Sequence, residues 1–484
     1  MQIKKLAVTA AAAGALALSV LTAGPASADY APGTGDAVGV GSDTLQYLVD
    51  FVADGNHLGA TGFNALGNVN RIINFDATAD ANARLAYGVV GSTQGSCSPG
   101  TGTKTGTGLA SVFHVDTVCQ LNPTIVLRAG LRPVQRPNGS GAGVGALNND
   151  IVGALKNIDF ARSSAKKGSS FTTPSSTSRI TVGTENFVML TAATTNAVAL
   201  SAADIYKIYS ATTGGTNGFG GTGCVTWNEI AGNSGGSPNV IVPLYPQTAS
   251  GTFSFFASAT TGVGQVTALV PGNCATAVEE NDPEAIAQVT SKADAIEPIS
   301  GARMNLFLGL KGDGTNNAGS SAYPYFVDPS CTYGSNAVGS AGGTGYGTTN
   351  VSCGVGAVSS INFPQPAAWA PAVTQQTGAG WWKTTRDVYI YFRNAEISNH
   401  ADQFEPGINQ NLIRTLFANP CSGTSFGNVA LLGVAGSQGC TTDGTNTFGP
   451  GGAPYFDTAA ASALISSSGF TPAYSFLNTV TSTD

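Results

Sequence analysis

Charge is scarce in this chain. Only 10% of its 484 residues are charged, with 21 basic against 28 acidic side chains and a net charge of −7. No basic cluster offsets that acidic balance, which argues against nucleic acid and anionic membranes as partners. Imidazole is nearly missing: His57, His114 and His400 are the three histidines, and no C-x-x-C occurs, so no metal site is expected. No P-loop lysine and no paired carboxylates at diagnostic spacing are found, so no cofactor and no catalytic set is expected either. Beyond the first 28 residues no apolar run reaches about 18 residues, so no membrane span is expected.

What is present begins with an export signal. Lys4 and Lys5 precede an apolar stretch from Leu6 to Leu21, and Ala26-Ser27-Ala28 forms an A-x-A cleavage site. Residues 1–28 therefore read as a signal peptide cleaved after Ala28, and the mature 456 residues, with charge −9, as secreted. No cysteine lies near the cleavage site to carry a lipid. The eight cysteines, Cys97, Cys119, Cys224, Cys274, Cys331, Cys353, Cys421 and Cys440, are even in number and suit disulfides in an oxidising compartment. Their connectivity is open among 105 possibilities. Sequential pairing is the favoured expectation, because each pair would close a Gly/Ser/Thr-rich excursion.

At this length two or three domain-sized units are expected. Residues 29–36 read as a linker, followed by a helix with Leu45, Leu48, Val49 and Val52 on one face. Strands are expected at 70–75, 124–127, 157–164, 180–192 and 386–394. Helices are expected after the turn PNGSGAGVGAL, at 201–210, and near 409–418 and 457–467, while 239–259 reads as strand, small-residue turn and helix, and 283–300 as a helix followed by a strand. Residues 91–108 read as a Gly/Thr loop and 312–360 as an elaborated, disulfide-clipped loop. Strands alternating with helices imply an α/β fold with largely parallel sheets. Polar, small-residue turns recur at strand C-termini, at 39–44, 138–143, 161–164 and 247–252. Open α/β sheets bind ligands at those ends, and helix N-termini with hydroxyls suit a small oxyanion.

The runs LSAADIYKIYS, TWNEIAG, IVPLYPQTASGTFSFF and PEAIAQVTSKADAIEPIS, with GVGSDT, NGSGAGV and IDFARSS before them, resemble the phosphate-binding proteins of ABC transporters. The resemblance covers most of 37–300 and, more weakly, 384–484. It implies a two-lobed periplasmic-binding-protein-like, Venus-flytrap fold with two hinge strands and disulfide-clipped loop insertions. Lobe 1 would be 36–190 plus 385–484 and lobe 2 would be 191–384, with hinges at 180–192 and 386–394. It implies a monomer that clamps phosphate or a similar oxyanion between the lobes and hands it to an ABC permease. The family's first-turn donor position falls on Asp43, with Thr44 next. Its second-turn serine falls on Ser140, beside Gly141, and its lobe 2 helix cap on Ser250-Gly251-Thr252.

Two positions depart from the family pattern: Ser164 stands where an aspartate is usual, and Pro246 where an arginine is usual. Arg162 could replace that cation from the opposite lobe, or make an ion pair unrelated to ligand. Asp43 could accept a ligand proton, hold Arg162, or simply N-cap its helix. Ser140 and Ser250-Gly251-Thr252 have ordinary turn and cap roles as their bland reading. Gln247 is a further polar candidate, Arg136 a surface cation, and Tyr245 and Trp227 core or cleft wall. One alternative is an extracellular adhesion or matrix protein that reuses the fold without transport. A remoter one is a serine hydrolase, because GNSGG at 232–236 fits G-x-S-x-G around Ser234, although no histidine lies in a fitting context.

Overall fold

The computed structural model describes residues 35–75, 124–307, 373–398, 410–418 and 454–484, with short breaks in the first two stretches, and the pieces 32–33, 77, 87–88, 119–120, 312, 331–332 and 352–353. The export signal, the three histidines, Arg136 and most of 312–360 lie outside the described residues.

The chain opens with β1 (Ala37–Gly41), a five-residue run buried on both faces. A single 3₁₀ turn, Asp43–Leu45, leads into α1 (Gln46–Asp54). Next come β2 (Ile72–Asn74), α2 (Gly139–Val152) and β3 (Phe160–Ser163). The long β4 (Thr177–Ala192) follows. Then α3 (Ala202–Ser210) starts at a capping box: Ser201 Oγ accepts from the Asp204 amide at 3.2 Å while Asp204 Oδ2 accepts from the Ser201 amide at 3.0 Å. β5 (Val242–Pro246), α4 (Gly251–Ala259), β6 (Thr276–Val278), β7 (Ala295–Ser300) and α5 (Gly301–Phe307) complete that half. The chain returns through β8 (Val373–Gln376) and β9 (Lys383–Arg393), and continues as α6 (Ala395–Ser398), α7 (Gln410–Phe417), α8 (Ala459–Ser467) and β10 (Thr471–Leu477).

One ten-stranded sheet holds β1 to β10, in the order β6-β5-β7-β4-β9-β3-β1-β2, with β8 and β10 also pairing with β4. Pairing is parallel at both ends, β1 with β2 and β3, and β5 with β6 and β7. The centre is antiparallel, because β4 and β9 run against each other and against their neighbours. The expectation of largely parallel sheets thus holds only for the outer strands. β4 and β9 are the two strands that cross between the halves, and both were expected within three residues. Their register slips between Val388 and Tyr389, a bulge that bends the pair where the halves meet.

Burial follows the two-residue period of a strand. Val188 and Leu190 face the cluster that holds Leu48, Phe160, Ile390 and Phe417. Phe187 and Met189 face a second cluster with Ile205, Tyr209, Trp227 and Phe256. A third, around Val38, Ile73, Val144 and Tyr391, lies under the other face of the first half. Trp227 is core, as expected, with its indole N–H donating to Asp294 Oδ1 at 3.0 Å.

The Cys224–Cys274 disulfide is present, with Cα atoms 5.5 Å apart across a separation of 50 residues. The backbone sets Cys331 and Cys353 directly opposite each other. Cys119 is described only as backbone beside Gly88. Cys97, Cys421 and Cys440 lie outside the described residues.

Candidate functional site

The site is built from the four small-residue turns. At the first, β1 ends on Gly41, whose φ of +118° and close approach to the Arg162 backbone leave no place for a side chain. Asp43 follows as the first residue of a turn whose N-cap, Ser42, makes no side-chain cap bond. Its carboxylate faces the opposite half. Asn281 Nδ2 donates to Asp43 Oδ2 at 3.2 Å, and Arg303 Nη2 lies 3.5 Å from Asp43 Oδ1. Thr44 also crosses the gap. Its Oγ1 accepts from Asn281 Nδ2 at 3.0 Å and lies 3.2 Å from Thr252 Oγ1.

The second and third turns meet each other. Ser140, in the first turn of α2, accepts from the Ser164 amide at 3.0 Å, and its Oγ lies 3.2 Å from Ser164 Oγ. Gly141 follows Ser140 in the same turn. The fourth turn presses on this pair from across the cleft: a Cβ on Gly251 would collide with Ser140 Oγ and Ser164 Oγ. Ser250 caps α4 by accepting from the Phe253 amide at 2.8 Å, and Thr252 reaches Thr44. Six expected residues, Thr44, Ser140, Ser164, Ser250, Gly251 and Thr252, therefore converge on one spot, with Asp43 at its edge.

Arg162 is not in that spot. Its guanidinium donates to the carbonyls of Ser42 and Gly41 at 3.1 Å each, to the Phe75 carbonyl at 2.8 Å, and to Asn74 Oδ1. These four bonds all go to its own half, so it braces the first turn. The cation that does stand there is Arg386, on the crossing strand β9. Its Nε donates to Glu185 Oε1 at 2.6 Å and its Nη2 to Thr252 Oγ1 at 3.3 Å. The guanidinium lies over the Phe187 ring at 4.7 Å, and Nη1 has no hydrogen-bond partner among the described residues. Glu185 is held in turn by Ser300 Oγ and by the Ala302 amide at 3.0 Å.

Charges in the cleft come as opposed pairs: Arg386 with Glu185, Arg303 with Asp43, and Lys167 with Glu280. Lys167 Nζ donates to Ser254 Oγ at 3.2 Å, and burial lowers its pKa against the opposing pull of Glu280. Such a site offers an anion hydrogen bonds and helix N-termini more than net positive charge. Arg386, Glu185 and Asn281 were missed from sequence. A lone glutamate inside the apolar run ITVGTENFVML was the available signal, since a buried charge demands a partner. Ser234, by contrast, is exposed in a turn that leads to no helix, away from the cleft-forming turns.

The model of the PBP superfamily domain matches residues 126–404, more than half of the chain. The chain belongs to the PBP superfamily. The match spans α2 to α6, and so includes Ser140, Ser164, Ser250, Thr252 and Arg386, whereas Asp43 and Thr44 precede it. Among solved structures the chain is similar to an ABC-type phosphate transport receptor from Vibrio cholerae, at 19% identity over 34% of this chain and 58% of that one, with a TM-score of 0.24. It is also similar to a possible phosphate binding protein from Planctomyces limnophilus (14% identity, 53% and 69% coverage, TM-score 0.25). A phosphate-binding protein from Stenotrophomonas maltophilia matches at 13% identity over 58% of this chain and 86% of that one, TM-score 0.28. The chain thus spans just over half the length of the Vibrio receptor. No curated protein matches it in sequence. Among the described residues no helix is long and apolar enough to cross a membrane.

Proposed function

We propose that this PBP superfamily member is a secreted, non-catalytic solute-binding protein that captures phosphate or a similar small oxyanion between two lobes. Lobe 1 would comprise 36–190 with 385–484, lobe 2 would comprise 191–384, and β4 and β9 would act as hinges. An ABC permease is the partner such a monomer would serve. One observation carries the reading: a buried arginine, Arg386, 3% exposed, has no partner for Nη1 among the described residues, while its Nη2 meets Thr252 where that hydroxyl meets Thr44 of the other half. A buried guanidinium N–H without a partner costs about 1–3 kcal/mol, and an oxyanion relieves it.

The hydroxyls now bond one another, Thr44 to Thr252 and Ser140 to Ser164. Entry of an anion therefore requires the halves to part, exchange those bonds for bonds to the ligand, and close again. Titration calorimetry of the full mature chain against phosphate, sulfate, molybdate and phosphate monoesters tests the reading. At least one oxyanion is expected to bind, and Arg386→Gln to weaken it by about 30-fold, near 2 kcal/mol, in a variant that still melts cooperatively. Absence of any oxyanion binding, or full affinity in the folded variant, refutes it.

A further inference from the structure

We propose that the preferred ligand is a phosphate monoester bearing a small hydroxylated organic group, and not the bare tetrahedral anion. The inference rests on the cleft being an oxyanion site and names the class of ligand that fills it. Its basis is a cavity of about 290 Å³ whose lining includes Ser164 and Arg386. Both residues belong to the converging cluster through Ser140 and Thr252. A phosphoryl group held by them has open space on the cavity side. Four equivalent oxygens make no use of that space, whereas a monoester directs its one ester oxygen, and everything attached to it, outward. The cavity volume is far more than the roughly 10–15 Å³ of such space that one water needs, enough for a small organic group.

The walls indicate what that group is. α4 contributes Ser254, Ser258 and Phe255, and β9 contributes Tyr389. Ser258 Oγ donates its proton to the Ser254 carbonyl at 2.6 Å, so its lone pairs remain for a ligand hydroxyl. The two aromatic side chains add apolar surface for C–H groups. Ala165, Lys166 and Asp387 complete the lining, and the outer pair brings one charge of each sign, so the cations left for the ligand are those that face its phosphoryl group. Hydroxyl acceptors, aromatic surface and a charge-balanced rim together fit a polyol or small sugar better than an apolar tail or a diphosphate.

Calorimetry of the full chain with inorganic phosphate, glycerol 3-phosphate and glucose 6-phosphate tests this, on wild type and Ser258→Trp. Ser258 is exposed on the cavity wall and outside the anion cluster, so an indole there is expected to occupy the outer part of the cavity and to leave the Arg386–Thr252 bond in place. Wild type is expected to bind one of the monoesters at least about tenfold tighter than inorganic phosphate, and Ser258→Trp to erase that margin while inorganic phosphate stays within about twofold. Ser258→Leu, a smaller intrusion, replaces the tryptophan variant if melting shows the latter unfolded. Inorganic phosphate binding as tightly as both monoesters, or a margin that survives the blocked cavity, overturns the inference and leaves the oxyanion reading standing. Failure of all three ligands to bind wild type removes that reading itself.

Discussion

Glu396 sits in a buried knot of three acids and two arginines. Its Oε1 accepts from Arg393 Nε at 2.9 Å and Nη2 at 2.6 Å, while Arg393 also lies 3.2 Å from Asp150 and 3.7 Å from Asp159. Asp159 pairs in turn with Arg128 at 2.6 Å, and Arg128 Nη1 donates to the carbonyls of Gly33 and Asp36. With every group ionised this knot carries one excess negative charge in a dry setting. Burial, acting against Arg393, pushes the Glu396 carboxyl up to about 7, and burial raises Asp159 and Asp150 in the same direction. A folded-state value above the unfolded one stabilises the fold below about pH 4.5, and that contribution is lost as pH rises through about 7. Glu396→Gln keeps the acceptor for Arg393 and puts an amide where Oε2 has no hydrogen bond. The variant is expected to melt with less pH dependence than wild type between pH 4.5 and 7.5, the difference amounting to order 2 kcal/mol across that range; parallel melting curves refute it. Residues of this kind are poorly legible in sequence. Arg162 and Arg386 each stand beside apolar strand residues, and only three-dimensional placement assigns one to backbone carbonyls and the other to the cleft.

At the scale of elements, local patterns are legible in the sequence and distant pairings are not. The capping box of α3 and the apolar runs of β4 and β9 announce themselves, because caps and burial periods depend on a few neighbouring residues. β10 does not: TPAYSFL has a proline and no clean alternation, and it is a strand only because β4 offers it an edge. The same holds for the antiparallel centre of the sheet, which follows from which strands return, not from their composition. The hydroxyl turns were legible as turns at strand ends, whereas their mutual contacts depend on how the halves meet. The Cys224–Cys274 bridge was legible as one of many pairings, and its energetic weight is calculable. A closed loop of 50 residues corresponds to about 4 kcal/mol of chain entropy removed from the unfolded state. The bridge joins the loop before β5 to the segment before β6 beside the second cluster, so its effect belongs to that half. Replacing both cysteines with alanine is expected to lower stability by about 2–4 kcal/mol in denaturant titrations. An unchanged midpoint would mean that the reduced chain is already constrained there.

At the scale of the molecule, the acid in the first turn links the halves. Asp43 and Thr44 belong to the first half, and Asn281 and Arg303 to the second. Asn281 is the one non-glycine residue at positive φ among the described residues, at +60°. Its Oδ1 accepts from the Ser300 amide at 3.1 Å, which aims Nδ2 at both Asp43 and Thr44. Arg303 lies over the Tyr47 ring at 4.0 Å while it faces Asp43. In the proposed reading these contacts form a latch beside the hydroxyl cluster, since they join the two halves. Their free energy favours the closed form whether or not ligand is bound, so it sets how much ligand affinity is spent on closure. Asp43→Ala removes the shared partner of Asn281 and Arg303 without touching Arg386. It is expected to shift the unliganded protein toward open forms, with a larger radius of gyration in small-angle scattering, and to speed ligand release. Saturating ligand restores the compact form, at an affinity lower by about 5- to 30-fold, the size of a 1–2 kcal/mol coupling. The direction discriminates between roles: a latch residue changes scattering before ligand is added, whereas an acid that only accepts a ligand proton changes affinity and its pH profile and leaves the unliganded scattering curve as it was.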